Sequence, residues 1–79
     1  MKMKTVNISL NSIYKVKSFV NAITKFDNDF DLISGRYVID AKSIMGIFSL
    51  DLTEEVDLTI HTDDESLAEI LNKLAPYLV

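Results

Sequence analysis

Strict alternation of apolar and polar residues occurs twice in this chain, once towards each end, and it restricts the fold more than any other feature. Val6, Ile8 and Leu10 alternate with Thr5, Asn7 and Ser9, and Val56, Leu58 and Ile60 alternate with Asp57, Thr59 and His61. Successive side chains of a strand point to opposite faces. Each run therefore predicts a strand, about 3–10 and 56–61, buried on one face and polar on the other. A sheet with one polar face is expected to be antiparallel and to carry its helices on the other side only.

Helical spacing follows each of these strands. Ile13, Val16, Val20 and Ile23, with Phe19 and Phe26 beside them, predict an amphipathic helix over about 13–26, with Asn11 or Ser12 as its cap. Leu67, Ile70, Leu71, Leu74 and Leu78 form the stripe of a last helix, Thr62 and Glu65 read as its capping box, and Pro76 disrupts its final turn. Between the two halves, "DNDFDLISGRYVIDA" predicts strands at about 30–34 and 37–41 around a tight Ser34-Gly35-Arg36 turn. The stretch "DAKSIMGIFSLD" then reads as a short helix with Ser43 at its N-cap. The order is β-α-β-β-α-β-α, an α+β layer with a four-stranded antiparallel sheet and three helices on one face, forming a single domain over residues 1–79.

The short helix has two apolar arcs where one suffices to reach a core. At about 100° per residue, Ile44, Met45 and Phe48 share one arc and Ile47 and Leu50 the other. Two readings stand open for the first arc: an exposed docking patch, or core packing in an unusually buried helix. Ser43 reads as the plain cap of this helix.

Composition narrows the function classes. Of 79 residues, 48% are hydrophobic and 25% charged, which is ordinary for a globular domain. The chain is expected to fold alone, with a thin core, since a domain this small buries only about 60% of its unfolded surface. No apolar run approaches the roughly 20 residues that span a bilayer, no signal-like segment opens the chain, and there is no cysteine. These features predict a cytoplasmic protein with no membrane partner and no thiolate metal site. The net charge of −4 argues against a nucleic-acid partner. Charge is nevertheless uneven: Lys2, Lys4, Lys15, Lys17 and Lys25 lie among residues 1–25 with no carboxylate, whereas residues 51–69 hold eight Asp or Glu and no Lys or Arg. No paired carboxylates, no nucleophile with an adjacent base and no glycine-rich phosphate loop are visible, so no enzymatic turnover, cofactor or metal is expected. His61, the lone histidine, alternates onto the polar face of its strand and is expected to face solvent, at the end of the sheet opposite the start of the first helix.

The segment "KSIMGIFSL", Lys42 to Leu50, resembles the region around the regulatory serine of HPr, the small phosphocarrier of the bacterial sugar phosphotransferase system. "KFDNDFDL" is similar to the end of that family's first helix and its second strand, in step with the serine motif, so the resemblance spans roughly residues 5–78. It implies an open-faced β-sandwich. It also implies that Ser43 matches the serine phosphorylated by a dedicated kinase/phosphorylase, and that Ile44, Met45 and Phe48 match a patch that docks partner proteins, among them transcriptional or metabolic regulators. The family carries its phosphoryl group on a histidine before the first helix, in a pattern of Gly, apolar, His, Ala, Arg and Pro. Here that place reads "SLNSIYKVKSF", with no histidine, arginine or proline, and Ser12 stands at the histidine's position. A loop about three residues shorter would keep the first strand in phase. Ser12 has no adjacent base to activate it, so it is expected to be a helix cap rather than a carrier. Asp51 stands where the family often has glycine, and the acidic "DLTEEVD" loop would disfavour a second negative charge beside Ser43.

The expectation is an HPr-like module that acts by docking and has lost the carrier histidine. Two alternatives remain at this stage: a phosphocarrier using His61 or another unconventional acceptor, and a domain that self-associates through the Ile44, Met45, Phe48 patch.

Overall fold

The computed structural model describes residues 2–79. Seven elements follow one another: β1 (Met3–Ile8), α1 (Ile13–Thr24), β2 (Asp29–Ser34), β3 (Tyr37–Asp40), α2 (Ile44–Phe48), β4 (Val56–His61) and α3 (Asp64–Leu74). The strands form one antiparallel sheet in the order β1-β4-β2-β3. Register explains the two faces. Val6 lies opposite Leu58 and Ile8 opposite Val56, while Phe30 and Leu32 flank Ile60 and Leu58 on the other side of β4. These residues share one face and pack against Val16, Phe19, Val20 and Ile23 of α1, Ile47 of α2, and Ile70 and Leu74 of α3. All three helices therefore cover the same side, as the alternation predicted.

The open face is polar. Thr5 and Thr59 hydroxyls lie 3.1 Å apart across β1 and β4, and the Asn7 side chain donates to the Asp57 carboxylate at 3.1 Å. Such cross-strand pairs contribute roughly 0.2–1 kcal/mol each. The β2–β3 hairpin closes through Gly35 and Arg36. Gly35 has φ +60° and no other residue has positive φ among those described, the pattern of a type II′ turn.

Several boundaries differ from the sequence-based expectation. β1 stops at Ile8, opposite Val56 where β4 begins, and Leu10 is buried outside any strand; residues 77–79 cover the outer edge beside it, where Ser9 N–H donates to the Tyr77 carbonyl at 2.9 Å and Val79 N–H to that of Asn7 at 3.1 Å. Leu78 is consequently no part of the α3 stripe but bridges Ile8. Tyr77 is fastened from the helix side, edge-on to the Phe19 ring with centroids 5.5 Å apart and its hydroxyl 2.6 Å from Ser18 Oγ. The α3 cap is Asp63, whose carboxylate accepts from Ser66 N–H at 3.1 Å, not Thr62. Thr62 is still held by the sheet: its N–H donates to the Lys2 carbonyl and its side chain is buried. α1 ends at Thr24 rather than about 26, and β2 and β3 match the expected strands to within one residue.

Candidate functional site

α2 owes its start to Ser43. The Ser43 backbone is extended, its Oγ accepts from Gly46 N–H at 3.1 Å, and its carbonyl accepts from Ile47 N–H at 3.0 Å. Ser43 N–H donates in turn to the Asp40 carbonyl, so the cap is tied directly to the end of β3. Gly46 leaves room for this arrangement, since a Cβ there would sit 3.2 Å from Ser43 Oγ. Ser43 is exposed.

The helix that follows uses its two arcs differently. Ile47 is fully buried and Leu50 packs against the core from its margin, whereas Met45 is 81% exposed, Phe48 41% and Ile44 37%. The structure thus leaves Ile44, Met45 and Phe48 at the surface immediately after an exposed hydroxyl. Lys42, on the other side of Ser43, is engaged elsewhere. Its ammonium donates to the Phe26 carbonyl at 2.7 Å, near the end of α1, and lies 5.6 Å from the centre of the Phe30 ring.

Ser12 caps α1 in the same manner, with its Oγ accepting from Lys15 N–H at 3.1 Å. Ser12 and Phe48 come together in three dimensions. With Leu10, Ile13 and Leu52 they line a shallow, largely apolar groove of about 250 Å³ between the start of α1 and the end of α2. Reading the sequence one helix at a time does not reveal this: the spacing places Ile13 on the buried stripe of the first helix, yet it is exposed and continues the α2 surface across the groove. Its position as the first residue of α1, before the stripe at Val16, Phe19, Val20 and Ile23 begins, is the signal that could have found it.

His61 is remote from this surface. Its partner in β1 is Met3, at the opposite end of the strand from the loop that leads to Ser12. It is half-buried rather than freely solvent-facing, with Nε2 2.7 Å from a carboxylate oxygen of Asp31. The neighbouring carboxylate in register is Asp29. Among the described residues no three His, Cys, Asp or Glu side chains gather as metal ligands, and no helix is long and apolar enough to cross a membrane.

Asp51 and Glu54 line a hollow with Arg36 and Tyr37 of the hairpin, beyond the C-terminal end of α2. The Asp51 carboxylate accepts from the Thr53 hydroxyl at 2.6 Å and from its N–H at 3.0 Å, and these bonds hold its pKa below the ordinary carboxylate range.

A family model described as the PTS HPr component phosphorylation site matches residues 15–79. The HPr-like protein Crh of Bacillus subtilis (strain 168) is 35% identical over 60 residues, 76% of this chain and 71% of that relative. Two solved structures superpose with a TM-score of 0.70. HPr-C-His from Thermoanaerobacter tengcongensis is 30% identical and aligns over 94% of this chain and 90% of its own. The phosphocarrier protein HPr from Bacillus anthracis str. Ames is 27% identical, over 99% and 96%. Members of this family are phosphocarriers rather than enzymes and interact with proteins of the phosphotransferase system. On the sequence match and the shared sheet-and-helix layering together, this chain belongs to the HPr family of phosphotransferase-system proteins.

Proposed function

We propose that this HPr-family chain is a regulatory binding module, acting by docking proteins on the α2 surface under the control of phosphorylation at Ser43 and without carrying a phosphoryl group on histidine. The observation that carries the reading is the juxtaposition on α2: an exposed serine at the N-cap, followed at once by three surface-exposed apolar side chains, while Ile47 alone anchors the helix. The partners are a serine kinase/phosphorylase of the HPr type and a transcriptional or metabolic regulator; neither nucleic acid nor membrane is involved, and the site is cytoplasmic.

Physical chemistry supports each half. A phosphate on Ser43 adds nearly two negative charges where the first N–H groups of a helix point outward, so it can be accommodated without melting α2. It would alter the charge of the docking surface and leave the fold in place. One well-seated apolar anchor such as Met45 can contribute roughly 2 kcal/mol or more to binding a partner. On the carrier side, Ser12 has no imidazole or other base beside it to activate its hydroxyl. His61 sits among carboxylates, which repel a phosphoryl donor.

Two phosphorylation reactions test the reading. With the general phosphotransferase enzyme and phosphoenolpyruvate the chain should gain no acid-labile phosphate; gain of one, abolished by His61→Ala, would establish the phosphocarrier alternative instead. With an HPr-type serine kinase and ATP it should gain one phosphate, absent in Ser43→Ala.

A further inference from the structure

The sheet has two edges, and they are treated differently. β1 is defended: Lys2 and Lys4 lie at its start, and residues 77–79 pair with its outer side at Asn7 and Ser9. Lysines on an edge and a covering segment are the usual means by which proteins prevent strand-to-strand association. Among the described residues β3, the other edge, has neither. Tyr37–Asp40 contains no lysine or proline, and its Tyr37 and Val38 are 64% and 62% exposed.

The hydrogen-bonding direction of β3 can be read from its neighbour. Ala41 N–H donates to the Phe30 carbonyl of β2, so by alternation residues 37 and 39 also turn their polar backbone groups inward. Val38 and Asp40 turn theirs outward. The Asp40 carbonyl is taken by Ser43 N–H, which leaves the Asp40 N–H and both groups of Val38 on the unpaired side. On the open face, Val38 lies beside half-buried Ile33 in register and makes an apolar corner of an otherwise polar surface.

We infer that β3 is a self-association edge, on which a second copy of this chain pairs antiparallel about a two-fold axis through Val38 to form a continuous eight-stranded sheet. Charge selects both the occupant and the register. With Val38 opposite Val38, Arg36 of each copy falls opposite Asp40 of the other, two attractive pairs from the only arginine in the chain. A shift by two residues in one direction sets Arg36 against Lys42; a shift in the other leaves Asp40 facing Ser34. In the favoured register the two Val38 residues exchange both backbone bonds, and each Asp40 N–H meets the Arg36 carbonyl across the axis. The interface is isologous and closed, so it yields a dimer and no filament. It is separate from the α2 surface of the proposed function and does not depend on that reading.

Sedimentation equilibrium of the full chain up to about 1 mM, a range that detects weak dimers, tests this directly. A dimer is expected, with hydrogen-exchange protection of the Val38 and Asp40 amides rising with concentration. Arg36→Asp places like charges together twice and should weaken association roughly tenfold or more. Arg36→Asp combined with Asp40→Lys should restore it. Met45→Ala should leave it unchanged. A chain that stays monomeric at the highest concentration overturns the inference, as does a dimer indifferent to Arg36→Asp or lost in Met45→Ala.

Discussion

Ser12 and Ser43 perform the same local act, each accepting the N–H three residues on at 3.1 Å, yet the helices they open have little else in common. α1 runs for 12 residues and buries Val16, Phe19, Val20 and Ile23; α2 runs for five and buries only Ile47. An isolated helix shorter than about 12 residues is marginal in water, so α2 exists because its cap and one side chain hold it against the sheet. Equal capping chemistry therefore has unequal weight. At α1 the cap trims a helix that packing already guarantees, whereas at α2 it is one of two supports, and modification there reaches the surface that follows.

Substitutions can break this contrast in order of size. Phe19→Ala should cost about 3–5 kcal/mol in urea denaturation, because it empties the centre of the core and removes the ring against which Tyr77 rests. Ile47→Ala should cost about 2–4 kcal/mol by the same measurement; if it exceeded Phe19→Ala, α2 and not α1 would be organising the core. Ser43→Ala should cost about 1 kcal/mol and speed amide exchange in α2 alone, while Ser12→Ala should leave exchange in the middle of α1 unchanged. Met45→Ala should stay within about 0.5 kcal/mol, as exposed substitutions do, and a larger loss would show that the α2 surface is structural.

The smallest effect concerns pH. Asp51 has a folded pKa held down by the Thr53 hydroxyl first and by its N–H second. A depressed carboxylate contributes stability above its unfolded pKa, and that contribution fades as pH falls through the lower folded value. An NMR titration of the Asp51 carboxyl should place its midpoint below the ordinary range, and Thr53→Val should move it upward.

Where a local pattern agreed with what surrounds it, the sequence was sufficient. The alternation at Val56, Leu58 and Ile60 gave β4 its limits and its buried face, and the spacing of Val16, Val20 and Ile23 gave α1. Where a distant segment intervened, it was not. Thr62 is a good cap beside Glu65, but Lys2, sixty positions earlier in the chain, binds its N–H, so Asp63 caps instead. Leu78 has helical spacing after Leu74, yet Tyr77 and Val79 pair with β1 and carry it into a bridge. At the site, the two arcs of α2 were legible as a pattern, because an excess apolar stripe needs a second surface. Which arc faced outward needed the sheet. The groove joining Ser12, Ile13 and Phe48 depends on how α1 lies against α2, which no run of adjacent residues encodes.

The pairing of β1 with β4 makes the enclosure of β1 depend on a late part of the chain. β1 is the first strand of the chain, but its partner spans Val56–His61 and the segment that covers its outer side is residues 77–79. Closing such long loops is entropically costly and slows folding relative to local contacts. On a ribosome adding about 5–20 residues per second, residues 3–8 wait for several seconds without either neighbour. β1 therefore stays without either neighbour until most of the chain has been made.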